Sequence, residues 1–281
     1  MTTDDTFDRW AEVYEAMIDW PKRLSREGPF YRRVLEQIGA KSVLDAACGT
    51  GQHAAMLHGW GLEVEGADLS PSMIERARAT FGQSDRLRFV VRGFAEKVER
   101  PASFDAVLCV GNSLALARIP RTSGGENVSE TAEIRRRERQ TSVPCALAAD
   151  AAAVAGAVRE MLAAVRPGGV VILHLLNLWR LADGPCLWQN CRRATLSQGE
   201  VLILKGVHRC QRRGYVDLIV MNPRGGPPLA TDSVAFLGLE AVELEALARQ
   251  AGASTVHAYG NYQDAPYDRA TSVDLVMVIE K

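Results

Sequence analysis

The run Val43-Leu44-Asp45-Ala46-Ala47-Cys48-Gly49-Thr50-Gly51, followed by Val64-Glu65-Gly66-Ala67-Asp68, constrains this chain more than any other stretch. Its apolar residues predict a short buried strand, its glycines a tight turn, and the residues after them a helix. The second run predicts another strand, ending in an acid. Glycines carry no Cβ, so backbone amides can approach a ligand closely at the mouth of the helix. An acid at the tip of the next strand can accept hydrogen bonds from a ribose diol. Together these features predict a nucleoside-binding crevice.

A chain of 281 residues can bury a sizeable core and fits one domain with an insertion or a small cap. Lys and Arg number 33 against 34 Asp and Glu, a formal net charge of -1. No excess positive field is left to hold a polyanion, which argues against nucleic acid as a partner. The six cysteines, Cys48, Cys109, Cys145, Cys186, Cys191 and Cys210, lack paired metal-ligand spacing, so no metal is expected and a reduced, cytoplasmic protein is. Asp4, Asp5, Asp8 and Arg9 do not open a signal sequence, and no apolar run reaches the roughly 18 residues of a membrane span. Neither export nor a membrane partner is expected.

Residues 7–38 read as a helical cap, with Trp10, Tyr14, Met17 and Ile18 forming a stripe that Pro21 interrupts and Tyr31, Val34, Leu35 and Ile38 resume. From residue 39 onward strands and helices alternate: Ser42–Ala46, Gln52–Trp60, Glu63–Ala67, a helix opened by Ser70-Pro71, then strands Leu87–Arg92 and Phe104–Val110. This rhythm implies βαβ units and a parallel sheet. Residues 118–149 lack a sustained apolar face and read as a mobile insertion, its arginine run a solvated surface, a lid contacting an anionic substrate, or a partner site. Helix Ala149–Val165, stopped by Arg166-Pro167-Gly168-Gly169, leads into a strand at Val170–Leu176. Residues 186–238 read as an antiparallel flap of four short strands, and the helix Leu239–Ala251 precedes a terminal strand pair, Ser254–Tyr259 and Ser272–Glu280.

Two cofactor classes use such a crevice. Gly49-Thr50-Gly51-Gln52-His53-Ala54 satisfies G-x-G-x-x-A with Asp68 seventeen positions after Gly51, which admits a dinucleotide. With Asp45 four positions before the first glycine, Asp45-Ala46-Ala47-Cys48-Gly49-Thr50-Gly51 resembles motif I of the class I S-adenosylmethionine (SAM) methyltransferases. The resemblance implies an α/β, Rossmann-like sheet, mostly parallel with the last strand antiparallel, and SAM as cofactor. It implies that Asp45 helps hold the methionine end, that Ala47, Gly49 and Gly51 line the turn, that Asp68 takes the ribose, and that Leu69 and Met73 pack on the adenine. Where the family often has Gly-Asp-Ala at the third strand, this chain has Gly93-Phe94-Ala95, so Phe94 is either an apolar adenine wall or core. Ala95 and Cys109 are also expected among the cofactor-binding residues.

A narrower resemblance rests on Phe7-Asp8-Arg9-Trp10, Ile18-Asp19-Trp20-Pro21-Lys22-Arg23, Glu27-Gly28-Pro29-Phe30, motif I, and Phe104-Asp105-Ala106-Val107-Leu108-Cys109-Val110-Gly111-Asn112-Ser113-Leu114-Ala115. These segments look like the glycine and sarcosine N-methyltransferase group. The resemblance implies that Arg23 pairs with the methionine carboxylate, with Trp20 beside it, or else is an exposed helix charge. After the fifth strand, that group carries a substrate-clamping Arg where this chain has Leu176, so glycine is not assigned as substrate. Arg180 could reach in from a shifted position.

Methyl transfer from a sulfonium needs the acceptor positioned, water excluded and a lone pair free, so no triad or metal is required. Asn112, at the end of the fourth strand, offers donor and acceptor to the substrate or else makes a turn. His174 is a candidate base or a buried structural histidine. Tyr14 with Trp10 either encloses a cationic methyl group or packs the cap. The expected function is SAM-dependent N-methylation of a small-molecule acceptor. O- or S-methyl transfer, a soft acceptor near Cys186, Cys191 and Cys210, and a non-catalytic nucleoside binder are the alternatives, and a homo-oligomer is left open.

Overall fold

The computed structural model describes residues 11–94, 96–98, 101–117 and 143–281, of which 143–150 are described by their backbone alone. The first helical segment covers residues 11–17. Helix α1, Trp20–Gln37, starts afresh, with the Asp19 side chain accepting from the amide of Lys22 at 3.2 Å and Pro21 in its first turn. Pro21 therefore opens this helix instead of interrupting one, because a first-turn residue has no intrahelical partner for an amide. Next come β1 (Ser42–Asp45), α2 (Gln52–Gly59), β2 (Glu63–Asp68), α3 (Pro71–Phe81, capped by Ser70), β3 (Leu87–Val91) and β4 (Phe104–Cys109). A 3-10 turn, Ser113–Leu116, follows β4.

Helix α4 spans Val143–Ala164 and begins six residues earlier than the alanine pattern predicts, which places 143–148 in a helix. Residues 118–142 lie outside the described residues, and with them most of the stretch expected to be a mobile insertion. Strand β5, Val165–Leu176, takes in the Arg-Pro-Gly-Gly segment as an irregularity: Phe104 pairs with Val165, and Ala106 next pairs with Val170. A Cβ on Gly169 would sit 2.4 Å from the Asp105 carbonyl, so only glycine lets the bulge lie this close to β4.

The main sheet has seven strands. Its order is β10-β11-β5-β4-β1-β2-β3, with β10 (Thr255–Tyr259) and β11 (Asp274–Glu280) at one edge. Only β11 runs against its neighbours, pairing antiparallel with both β5 and β10. The strand order reverses between β1 and β4, and at such a switch point the connections diverge and leave a crevice beyond the carboxyl ends.

Period-two alternation sorts the strands' side chains into two cores. Val107, Cys109, Val171, Leu173 and Leu175 face α4 and α5 (Ala241–Gln250), while Ala106, Leu108, Val170 and Ile172 face α1, α2 and α3.

The flap is a separate antiparallel meander: β6 (Leu187–Leu196), β7 (Gly199–Cys210), β8 (Arg213–Met221) and β9 (Ala230–Leu237). Its Leu196, Val201, Ile203, Leu218 and Val220 pack against Val13 and Met17 of the first helical segment. That segment bonds in both directions: Glu12 accepts from the amide and hydroxyl of Ser197 on the flap, and Glu15 accepts from the Thr50 hydroxyl in the glycine turn. The cap thus ties the flap to the crevice. Among the described residues, no helix is long and apolar enough to cross a membrane.

Candidate active site

The turn between β1 and α2 has two glycines at positive φ, Gly49 at 53° and Gly51 at 85°. Gly51 is also boxed in, since a Cβ there would lie 2.9 Å from the Phe89 ring, whereas one on Gly49 would meet nothing within 4 Å. Gly51 is thus required by packing, and Gly49 borders open space where a ligand can approach the backbone. Ala47, half-buried, lies in the same turn. Asp68, at the end of β2, accepts from the amides of Gly49 at 2.8 Å and Ser70 at 3.0 Å. Burial raises its pKa, with those amides opposing the shift. A carboxylate has about four lone-pair sites, so others remain for a ribose diol.

Asp45 is fully buried at the end of β1, and neither carboxylate oxygen has a hydrogen-bond partner. Burial and the nearby Asp68 carboxylate push its pKa up to about 7, against the opposing pull of the Ala47 amide and the Arg23 charge. A buried acid without partners is costly unless a cation meets it.

Helix α1 lies across this turn. Glu27, fully buried, accepts from Arg23 Nε at 2.9 Å and Arg26 Nη2 at 3.3 Å on one oxygen, and from Tyr31 Oη at 3.1 Å on the other, where His53 Nε2 of α2 also lies at 3.0 Å. Burial alone would raise its pKa, but the His53 hydrogen bond and the Arg23 charge hold it far below the usual carboxylate range. Arg23 turns its terminal nitrogens toward Gly111 at the end of β4, where a Cβ would come 3.4 Å from Nη2. Its side chain is 16% exposed, so it is partly buried at the end of β4 and is not a freely exposed helix charge. Its guanidinium stacks 5.2 Å from the Trp20 ring, and Trp20 Nε1 is buried with no partner. Tyr14 lies edge-on to Trp20 at 6.2 Å, and its phenol is raised by burial against the charge of Arg23. Trp10 lies outside the described residues.

Leu69, expected from the sequence to pack on adenine, is 57% exposed. Phe94, with Leu44, Ala46, Ala67 and Gly93, lines a cleft of about 300 Å³. Phe94 packs against the core, one of the two readings the sequence left open, and also lines this cleft. Met73 is buried in the core side of α3, and Ala95 lies outside the described residues. Cys109 is fully buried, its thiol pushed up by burial and by Asp45, so it packs in the core beneath the crevice and does not line it.

Asn112 takes the left-handed conformation at φ 70°. Its Oδ1 accepts from the Leu176 amide at 3.1 Å, and Nδ2 has no partner among the described residues. His174 Nδ1 accepts from the Gly111 amide at 3.1 Å, so Nε2 carries the proton and donates to Asp274 at 3.1 Å. Both nitrogens are engaged, which corrects the reading of His174 as a base: it fixes the end of β4 against β5 and β11. Tyr262 lies 5.7 Å from its ring and 3.1 Å from the hydroxyl of Tyr31, joining α1 to the same corner.

Leu176, Val207 and Phe236, with Asn177, Arg180 and Gln189, line a second cavity of about 230 Å³ between the sheet edge and the flap. Arg180, in the 3-10 turn Leu178–Arg180, thus reaches the cavity that Leu176 also lines. On the flap, Cys186, His208 and Asp217 bring their ligand-type atoms within 4.8 Å of one another. Asp217 already binds His208 Nδ1 at 2.6 Å and the Ser233 hydroxyl at 2.7 Å, while Cys191 and Cys210 are exposed and outside this group.

Sequence reasoning missed Glu27, because a lone glutamate in a helix gives no local sign of burial.

Residues 43–124 match a methyltransferase domain family. Over 112 residues the chain is 40% identical to a glycine/sarcosine N-methyltransferase of Parasynechococcus marenigrum, covering 39% of this chain and 38% of that protein, so the match spans well under half of the relative's length. An amino pentose methyltransferase from Micromonospora echinaspora, solved with SAM bound, superposes with a TM-score of 0.63 at 19% identity, over 96% of this chain and 97% of that one. A sugar N-methyltransferase from Streptoalloteichus gives 0.63 at 21% identity, over 100% and 93%. Strand order and the superposed structures agree on a class I, Rossmann-like methyltransferase fold, within which residues 43–124 are similar to a methyltransferase domain family.

Proposed function

We propose that this protein is a SAM-dependent methyltransferase acting on a small-molecule acceptor, with N-methylation as its reaction. The observation that carries this reading is Asp45, a fully buried carboxylate with two unpartnered oxygens beneath the glycine turn. A cationic ammonium suits it; the pyrophosphate of a dinucleotide would be repelled. The unpartnered Trp20 Nε1 and the open side of Gly49 are further features that fit a ligand.

In this reading Arg23 receives the methionine carboxylate, Asp45 the ammonium and Asp68 the ribose diol, with Leu69 and Phe94 beside the adenine. Bound SAM supplies a methyl group on a sulfonium, which needs no acid to leave. The chain's own residues then orient the acceptor and exclude water: Asn112 offers Nδ2, Tyr14 its hydroxyl and ring, and the cap and flap close the crevice. The N-methylated class follows the curated relative and the sugar N-methyltransferase neighbour. Five described cysteines are all free, in keeping with a reducing cytoplasm.

Calorimetric titration with SAM and, separately, NAD, followed by methyl-labelled SAM with panels of amines, phenols and thiols, tests this reading. Binding of SAM alone and label in amines are expected; an empty crevice in the SAM titration refutes it.

A further inference from the structure

The flap has one face against the cap and the sheet edge, where Val201, Ile203 and Val207 of β7 and Leu218 and Val220 of β8 are buried. The two-residue period turns Gly206, His208 and Asp217 to the opposite face. There Asp217 pairs with Gly206 on one side and with Ser233 of β9 on the other. Segment 181–186, ahead of β6, is tied to the end of β7. The Gly184 amide donates to the Arg209 carbonyl at 2.8 Å, Arg209 Nε to the Leu181 carbonyl at 2.9 Å, and the Gln211 amide to Asp183 at 3.0 Å. At the end of this segment the Cys186 thiol lies over Gly206, where a Cβ would come 2.6 Å from Sγ. Gly206 has no positive φ, so the close approach of the thiol is what a glycine allows here.

Cys186 Sγ, a His208 ring nitrogen and an Asp217 oxygen lie within 4.8 Å of one another. Asp217 Oδ2 accepts from Cys186 Sγ at 3.8 Å and from His208 Nδ1 at 2.6 Å, and its Oδ1 accepts from the Ser233 hydroxyl at 2.7 Å. The His208 ring stacks on Tyr215 at 4.7 Å. A sulfur, an imidazole nitrogen and a carboxylate oxygen are the donors that zinc takes. With bonds of about 2.0–2.3 Å to a tetrahedral ion, neighbouring ligand atoms stand about 3.3–3.6 Å apart. Sγ and Oδ2 are already near that separation, and Nδ1 and Oδ2 need to part by about 0.7 Å, which exchanges one hydrogen bond for two metal bonds. Ser233 orients the carboxylate from behind and Tyr215 fixes the imidazole plane, as partners of metal ligands do. Burial and the Asp217 charge raise the pKa of the Cys186 thiol, so thiolate and carboxylate sit together favourably only beside a cation. Spacing along the chain gives no sign of the cluster, because residues 186, 208 and 217 meet only when β7 and β8 pair and the preceding segment folds back on them.

We propose that Cys186, His208 and Asp217 bind a divalent cation of the zinc class, with water in the fourth position, and that the ion pins segment 181–186 to the flap. On binding, the Cys186 thiol gives its proton to solvent, and the Asp217 carboxylate and a lone pair of neutral His208 complete the protein ligands. Leu181 and Gln189, on either side of Cys186, line the cavity between flap and sheet edge, so the ion steadies one wall of it. The site does not depend on the methyltransferase reading.

The test uses the full chain without a tag, reduced and stripped of metal, and titrated with zinc chloride against a chromophoric chelator. Cobalt chloride is titrated in parallel and read by absorption. One zinc per chain is expected, with a Kd of about 1 μM or tighter, and cobalt should give a thiolate charge-transfer band with the visible bands of a tetrahedral ion. Cys186→Ser and Asp217→Asn should each weaken zinc about tenfold or more, and Cys186→Ser should also remove the charge-transfer band. Cys191→Ser and Cys210→Ser should change neither. Millimolar magnesium or calcium should not displace zinc, because hard cations prefer all-oxygen sites, and the wild-type melting temperature should rise with zinc concentration. No zinc retained at micromolar concentration, displacement by magnesium, or wild-type affinity in Cys186→Ser overturns the proposal. Circular dichroism checks that each variant folds. Should one fail to, the wild-type cobalt spectrum still decides, since a spectrum without the thiolate band removes Cys186 from the site.

Discussion

His53 Nε2 lies 3.0 Å from Glu27 Oε2, both residues buried, and this contact fastens the cap helix α1 to the helix that follows the glycine turn. Removing the carboxylate leaves Arg23 buried without its partner. Glu27→Ala should cost about 3–5 kcal/mol of stability, the usual loss on breaking a buried ion pair from one side, and should weaken SAM by displacing Arg23. Because its folded pKa is depressed, the contribution of Glu27 is complete above its ordinary pKa of 4.5 and fades as pH falls below it. Urea unfolding at pH 7 and pH 4 checks both statements; equal midpoints for wild type and variant at pH 7 would contradict the first.

Asp45 has the opposite sign. Its folded pKa, about 7, lies above its ordinary 3.8, so the free protein loses stability as pH rises from about 4 to 7. A cation bound at Asp45 favours the ionised form, so SAM binding at pH 6 should release close to one proton, and affinity should fall about tenfold per pH unit below 7. Titration calorimetry in two buffers of different ionisation enthalpy measures the release. Asp45→Asn should abolish it, and release persisting in that variant would place the proton elsewhere.

Asp68 should cost SAM about 1–3 kcal/mol of binding when replaced by Ala, as for a lost hydrogen bond to a charged group. Since it also holds the Gly49 and Ser70 amides, the melting temperature should fall with it. Unchanged calorimetric affinity would remove Asp68 from the ribose site.

His174 bridges the Gly111 amide and Asp274, and on that geometry it is expected to position the corner between β4, β5 and β11 instead of taking a proton from substrate. His174→Gln should lower stability by about 1–3 kcal/mol, for the buried partners left unsatisfied, while the pH profile of kcat keeps its shape. Loss of one limb of that profile would restore His174 as a base.

The sequence by itself determined the alternation of strands and helices, the glycine turn at Gly49 and Gly51, and the acid at Asp68, because each follows from local periodicity or from a backbone shape that few residues adopt. It also marked the flap strands to within a few residues. Tertiary structure alone decided what the charged and polar side chains do. Glu27 and His174 became buried hydrogen-bonded groups, Asp45 was left without partners, Cys109 was sealed in the core, and Arg180 and Val207 came to one cavity from segments separated in sequence. The physical reason is that a side chain's protonation and partners depend on the dielectric and charges around it, which strand order and flap docking set and local sequence spacing does not.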